Sequence, residues 1–113
     1  SGGQRSLVAI TRSLLARPHV WLLDEPTAAL DQQTERAALD AIFAGLDDKA
    51  ILVMVTHKIP LLTRFTRVIA MSGGRIVRDG PTAEVLRDLM PKQPAPARGS
   101  EGLVTSSLRV GKA

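Results

Sequence analysis

At 113 residues and 12.1 kDa the chain has room for one small domain and not for two. Apolar residues make up 44% and charged residues 23%, which excludes wholesale disorder, and with aromatics at 3% the core has to be aliphatic. The net charge of +4 is uneven: residues 1–90 carry 11 basic and 10 acidic side chains, whereas 91–113 carry Lys92, Arg98, Arg109 and Lys112 against Glu101 alone, so no basic face for nucleic acid is expected on the body.

The first element is a helix over about 4–16, in which Leu7, Ile10 and Leu14, with Val8 and Leu15 beside them, follow the spacing of one helical face. It stops at Arg17-Pro18, because the residue before a proline disfavours the helical region. Val20-Trp21-Leu22-Leu23, closed by Asp24 and broken by Pro26, predicts a buried strand. Asp31 stands where an N-cap belongs, ahead of a helix with Leu39, Ile42, Phe43 and Leu46 on one face that ends at Gly45 and Asp47-Asp48-Lys49. Residues 50–56 form a second, fully apolar strand. Strand, helix, strand with both strands apolar throughout predicts an α/β fold, a parallel sheet covered by helices.

Beyond Ile59 a short helix near 61–65 leads to 67–71 and 75–78, two strand-like runs around Ser72-Gly73-Gly74 that predict a β-hairpin. Asp79-Gly80-Pro81 reads as a turn, and Thr82 as the cap of a last helix bearing Val85, Leu86, Leu89 and Met90. Residues 1–90 are thus the folded body. Residues 91–113, rich in Pro, Ala, Gly and Ser without a period, are expected to be a flexible basic tail, with Leu103-Val104 a weak candidate for strand pairing. No apolar run approaches the roughly 20 residues of a membrane-spanning helix, and no basic, apolar, small-residue leader is seen. Cysteine is absent, which excludes disulfides and thiolate metal sites and fits a reducing compartment. An opening directly on Ser1-Gly2-Gly3-Gln4, with no methionine, predicts a piece of something longer.

Three places carry candidate chemistry. Asp24 and Glu25 close an apolar strand, and ligands of open parallel sheets bind at the strands' carboxyl ends. There Asp24 suits a Mg²⁺ ion as a hard oxygen ligand, and Glu25 can orient and deprotonate a water attacking a phosphoryl group. The competing reading is a pair of acids that begin a turn. Ser1-Gly2-Gly3-Gln4 opens a helix, where glycine backbone N–H groups and the helix dipole favour an anion; an ordinary Gly-rich cap is the alternative. His57 follows the second strand, again at a carboxyl end, within reach of a phosphate or an attacking water, or simply as a polar terminus. His19 lies at the other end of the first strand and reads as a surface residue; Trp21 reads as a packing residue.

Together, Ser1 to Gln4, Val20 to Thr27, Ala28-Ala29-Leu30-Asp31 and Val55-Thr56-His57 resemble the ABC ATPase family, over residues 1–90. In that family's terms Ser1, Gly2, Gly3 and Gln4 match the signature motif without its preceding leucine. Val20 to Asp24 match the Walker B strand, Glu25 the catalytic glutamate, Ala28 to Asp31 the D-loop and His57 the switch histidine. The hairpin and last helix are similar to the elements that end such domains, so the fold implied is the C-terminal part of a P-loop NTPase domain. The resemblance implies ATP and Mg²⁺ as cofactors, and a head-to-tail dimer with a second ABC nucleotide-binding domain. Ser1, Gly2 and Gly3 would grip an ATP held mainly by the partner, Asp24, Glu25 and His57 would serve the ATP of their own subunit, and Asp31 would lie at the interface.

The departures are as informative. No G-x-x-x-x-G-K-[ST] phosphate loop occurs in the 113 residues, so this stretch by itself is not expected to bind ATP tightly or hydrolyse it. Thr11 and Ser13 stand where the family often has alanine, and Trp21 lies in a normally aliphatic strand. Arg5, Thr56-His57-Lys58 and the ending from Asp79 to Leu86 look more like exporters, of the type I protein-secretion class, than importers. A transporter ATPase at the cytoplasmic face of the bacterial inner membrane, partnered by a transmembrane domain, is the expectation. A soluble ABC ATPase acting on nucleic acid or ribosomes and an inactive remnant are the alternatives.

Overall fold

The computed structural model describes residues 1–90 together with the backbone of residues 104–110. In chain order these form α1 (Gly2–Ala16), β1 (Val20–Asp24), α2 (Gln32–Gly45), β2 (Ile51–Thr56), a 3₁₀ turn (Ile59–Arg64), β3 (Arg67–Ser72), β4 (Arg75–Pro81), α3 (Thr82–Leu89) and β5 (Val104–Val110). Helix α1 begins two residues earlier than its apolar spacing predicts, because Ser1 is its N-cap; it ends at Arg17, which takes a left-handed φ of 47° before Pro18. Asp31 caps α2 by accepting from the Thr34 backbone N–H at 2.8 Å. Gly45 closes α2 and also lets α1 approach: a Cβ there would lie 2.5 Å from Leu14 Cδ2.

The five strands form one sheet in the order β1-β2-β5-β3-β4. β1 and β2 run parallel, with Leu22 opposite Val53 and Asp24 opposite Val55; the other pairings are antiparallel. Trp21, Leu52 and Met54 meet Ile10 of α1 and Leu39 and Ile42 of α2 in the main core, while Val68 packs with Leu62 and Val85 of α3. Met54 and Val68 are both register partners of Ser107, so both clusters lie on the same face of the sheet.

That placement corrects one expectation. Strands apolar at every position predict a sheet covered by helices, yet the described helices cover one face only, leaving Val20 53% and Leu22 75% exposed on the other. The single β1–α2–β2 crossover puts α2 on one side, and α1, docked on α2 through Leu14 and Gly45, follows it there. For the same reason only Ile10 of the α1 stripe is buried, and Leu7, Val8 and Leu15 stay exposed.

Two local readings also change. Asp79-Gly80-Pro81 does not turn the chain but prolongs β4, pairing with Ile69, Val68 and Arg67, and Arg67 reinforces the pairing with two hydrogen bonds to Asp79. Thr82 does not cap α3: its hydroxyl donates to the Phe65 carbonyl and its N–H to the Thr66 carbonyl, tying the start of α3 to the two residues before β3. The β3–β4 turn carries left-handed φ values at Gly73 (56°) and Gly74 (75°), the conformation a two-residue hairpin turn requires and glycine permits. Of the expected tail, residues 91–103 and 111–113 lie outside the described residues. Residues 104–110 pair as β5 between β2 and β3, which closes the β2 edge and leaves β1 at the sheet margin.

Candidate functional site

Because β1 and β2 are parallel neighbours in register, their carboxyl ends coincide. The Glu25 N–H continues the pairing one residue past β1, donating to the Val55 carbonyl at 2.8 Å. Glu25 itself adopts φ +43°, a left-handed conformation that costs a non-glycine residue about 1–2 kcal/mol. This bend aims its side chain toward the end of β2, where Glu25 Oε1 lies 2.7 Å from His57 Nε2. Both groups are partly exposed at the mouth of a cavity of about 80 Å³ that Thr27, Thr56 and Lys58 also line. A space of that size is large enough to hold water beside a carboxylate that accepts a proton.

Asp24, the last residue of β1, is exposed at the same edge. Among the described residues no group of three or more His, Cys, Asp or Glu is placed to hold a metal. A single exposed carboxylate fits Mg²⁺, which keeps several waters and takes one or two carboxylates alongside phosphate oxygens.

After Glu25 the chain makes two successive turns, Ala28 N–H donating to the Glu25 carbonyl and Leu30 N–H to the Thr27 carbonyl, and these deliver Asp31 as the α2 cap. The cap bond from the Thr34 backbone, joined by the Thr34 hydroxyl at 2.9 Å, holds the Asp31 carboxyl below its ordinary value. Asp31 shares a cleft of about 440 Å³ with Ser1, Gly2, Gly3 and Gln4. Ser1 Oγ accepts from the Gln4 N–H at 3.2 Å, and the Ser1 backbone nitrogen donates to Gln4 Oε1 at 3.4 Å, a capping box that engages both side chains. Gly3 is needed for close approach: a Cβ there would lie 3.2 Å from the Ala29 carbonyl oxygen.

The candidate residues therefore fall into two groups. Glu25 and His57 touch, with Asp24 beside them; Ser1 to Gln4 and Asp31 line a separate cleft. His19 sits away from both, exposed and 3.8 Å from Asp47, and Trp21 is buried at 2% exposure.

One residue that sequence reasoning passed over stands behind the first group. Glu35, 7% exposed, accepts at Oε2 from Thr27 Oγ1 at 2.7 Å and from Lys58 Nζ at 2.6 Å. Burial pushes the Glu35 carboxyl up, but the Lys58 and Thr27 hydrogen bonds and the Lys58 charge outweigh it and hold the group below its ordinary value. The available signal was Glu35 four residues before Leu39, a carboxylate on the buried stripe of α2.

Residues 1–28 match the model of the family described as ABC transporter. The ABC-type transmembrane transporter verA of Clonostachys rogersoniana is 37% identical over 86 residues, covering 76% of this chain and 7% of that protein. The glutathione/L-cysteine transport system ATP-binding/permease protein CydC of Escherichia coli (strain K12) is 42% identical over 86 residues, again 76% of this chain and 15% of the relative. The phosphate import ATP-binding protein PstB 2 of Mycobacterium tuberculosis (strain ATCC 25618 / H37Rv) is 36% identical over 104 residues, 91% of this chain and 37% of the relative. The chain spans well under half the length of each of these curated relatives, and one of them is named as an importer. No solved structure matches it. Its likeness is thus to ABC transporter ATP-binding domains, over most of its own length and a minor part of theirs.

Proposed function

We propose that this chain is part of the ATP-binding domain of an ABC transporter and contributes the hydrolytic side of its ATP site. The observation that carries the reading is the 2.7 Å contact between Glu25 and His57 at the coincident ends of two parallel strands, within the sequences Asp24-Glu25-Pro26-Thr27 and Val55-Thr56-His57. In this reading Glu25 takes a proton from the attacking water and His57 orients both, while Asp24 holds Mg²⁺, which when bound offsets charge on the phosphate oxygens. Ser1, Gly2, Gly3 and Gln4, with Asp31, form the surface that meets the ATP of a second such domain in a head-to-tail dimer. Their position in a separate cleft supports that division of labour. Residues 1–90 are the main domain portion, and of the basic stretch 91–113 residues 104–110 join its sheet as β5.

No described helix is long and apolar enough to cross a membrane. A transmembrane domain is the proposed partner, and the cytoplasmic face of a bacterial inner membrane the proposed location. Arg5 and Thr56-His57-Lys58 favour export, in the manner of type I secretion. Import is the second reading, favoured by the alignment with an importer ATP-binding protein over 91% of the chain. Without a phosphate loop, these residues alone are expected to be inactive.

The test is ATP hydrolysis by the complete product of the gene that contains this sequence. Removing a general base lowers the rate by about 10²–10⁴-fold, the loss expected of Glu25→Gln, with His57→Ala in the same direction. Hydrolysis unchanged in Glu25→Gln would overturn the reading. Substrate accumulation in inverted against right-side-out vesicles separates export from import.

A further inference from the structure

Glu35 is the one charged residue among the described residues that is buried, and nothing in the proposed chemistry uses it. A buried carboxylate is costly unless its acceptors are filled, and here both donors come from the loops that carry the site. Thr27, 2.7 Å away, lies two residues after Glu25; Lys58, 2.6 Å away, directly follows His57. The Lys58 backbone is itself held to the end of β2, its N–H donating to Thr56 Oγ1 at 3.0 Å. On its own helix the Glu35 N–H donates to the Asp31 carbonyl at 2.8 Å.

We infer that Glu35 is a positioning residue, a clamp between the loop after β1 and the loop after β2 that keeps Glu25 and His57 in contact and couples that pair to Asp31 through the first turn of α2. Its significance for hydrolysis rests on the ATPase reading; the clamp itself does not. Three segments meet at one carboxylate oxygen, so any shift of the α2 N-terminus moves Thr27 and Lys58 together. A stabilising ion pair would serve as well anywhere on the surface; this one is placed where two loops have to hold a 2.7 Å contact.

The test reads the His57 ring by NMR in the complete gene product, isotope-labelled at histidine, at one fixed pH with His19 as internal control. Glu25→Gln first defines where the His57 ring signals go when their carboxylate partner is altered. Glu35→Ala and Lys58→Met are expected to move the His57 signals toward that position, leave His19 unmoved and speed exchange of the backbone amide at position 58 by about tenfold. The charge-swapped pair Glu35→Lys with Lys58→Glu is expected to return them part of the way. A purely structural Glu35 would lower the urea midpoint but leave His57 in the folded molecules at its wild-type position, and that result overturns the clamp. If Glu35→Ala fails to fold, Lys58→Met decides alone, because it leaves the Thr27–Glu35 bond in place. Loss of the ATPase reading with the His57 response intact would leave the clamp standing, and the reverse would remove the clamp and keep the ATPase.

Discussion

Glu25 is held at φ +43°, and its backbone strain can be separated from its side-chain contact by comparing Glu25→Gly with Glu25→Ala. Both variants delete the contact with His57, a partly exposed pair worth about 0.2–1 kcal/mol. Alanine keeps the strain. Glycine relieves about 1–2 kcal/mol of it but adds about 0.4–1 kcal/mol of unfolded-state entropy. Glu25→Gly should therefore be about 0.5–1 kcal/mol more stable than Glu25→Ala and close to wild type. Urea unfolding followed by the fluorescence of Trp21, the chain's single tryptophan and four residues upstream in β1, measures the difference on the strand concerned. If Glu25→Ala proves the more stable of the two, the left-handed strain is absent and the argument from it fails. A glycine variant more stable than its alanine counterpart is what backbone strain at this position produces.

Trp21 is buried, and its indole N–H has no hydrogen-bond partner among the described residues. Trp21→Phe removes that unsatisfied donor, worth about 1–3 kcal/mol, against a modest loss of packing, and should leave thermal stability nearly unchanged. Trp21→Ala should cost about 3–5 kcal/mol, and a clear loss of stability in Trp21→Phe would show that the indole nitrogen is satisfied. Glu35 has a depressed carboxyl pKa, so its stabilising contribution is complete above the ordinary glutamate value of 4.5 and is lost as pH falls through the folded-state value. Acid titrations of urea midpoints should show a shallower decline below pH 4.5 in Glu35→Gln than in wild type, and parallel curves would refute the assignment. Gly3→Val should lower the unfolding midpoint or displace Ala29, read by NMR shifts of residues 28–31, because its Cβ meets the Ala29 carbonyl at 3.2 Å; an unperturbed spectrum would contradict that approach.

Sequence by itself determined the elements whose signals are local. Periodicity and caps placed α1 and α2, the apolar runs placed β1 and β2, and Gly73-Gly74 placed the turn between β3 and β4, because each depends on residues a few positions apart. It also singled out Asp24, Glu25 and His57, since parallel strands bring their carboxyl ends to one edge and the residues after each apolar run are readable in order. Tertiary structure decided what depends on contacts distant along the chain. The choice of one covered sheet face followed from α1 docking on α2 at Gly45, and Asp79–Pro81 became strand rather than turn because β3 lay alongside to pair with it. The clamp at Glu35 needed α2 and both loops in place, for its donors come 8 residues before it and 23 after it. A carboxylate on an apolar stripe is visible in sequence, but what it holds is set only once burial has excluded water and left Thr27 and Lys58 as its partners.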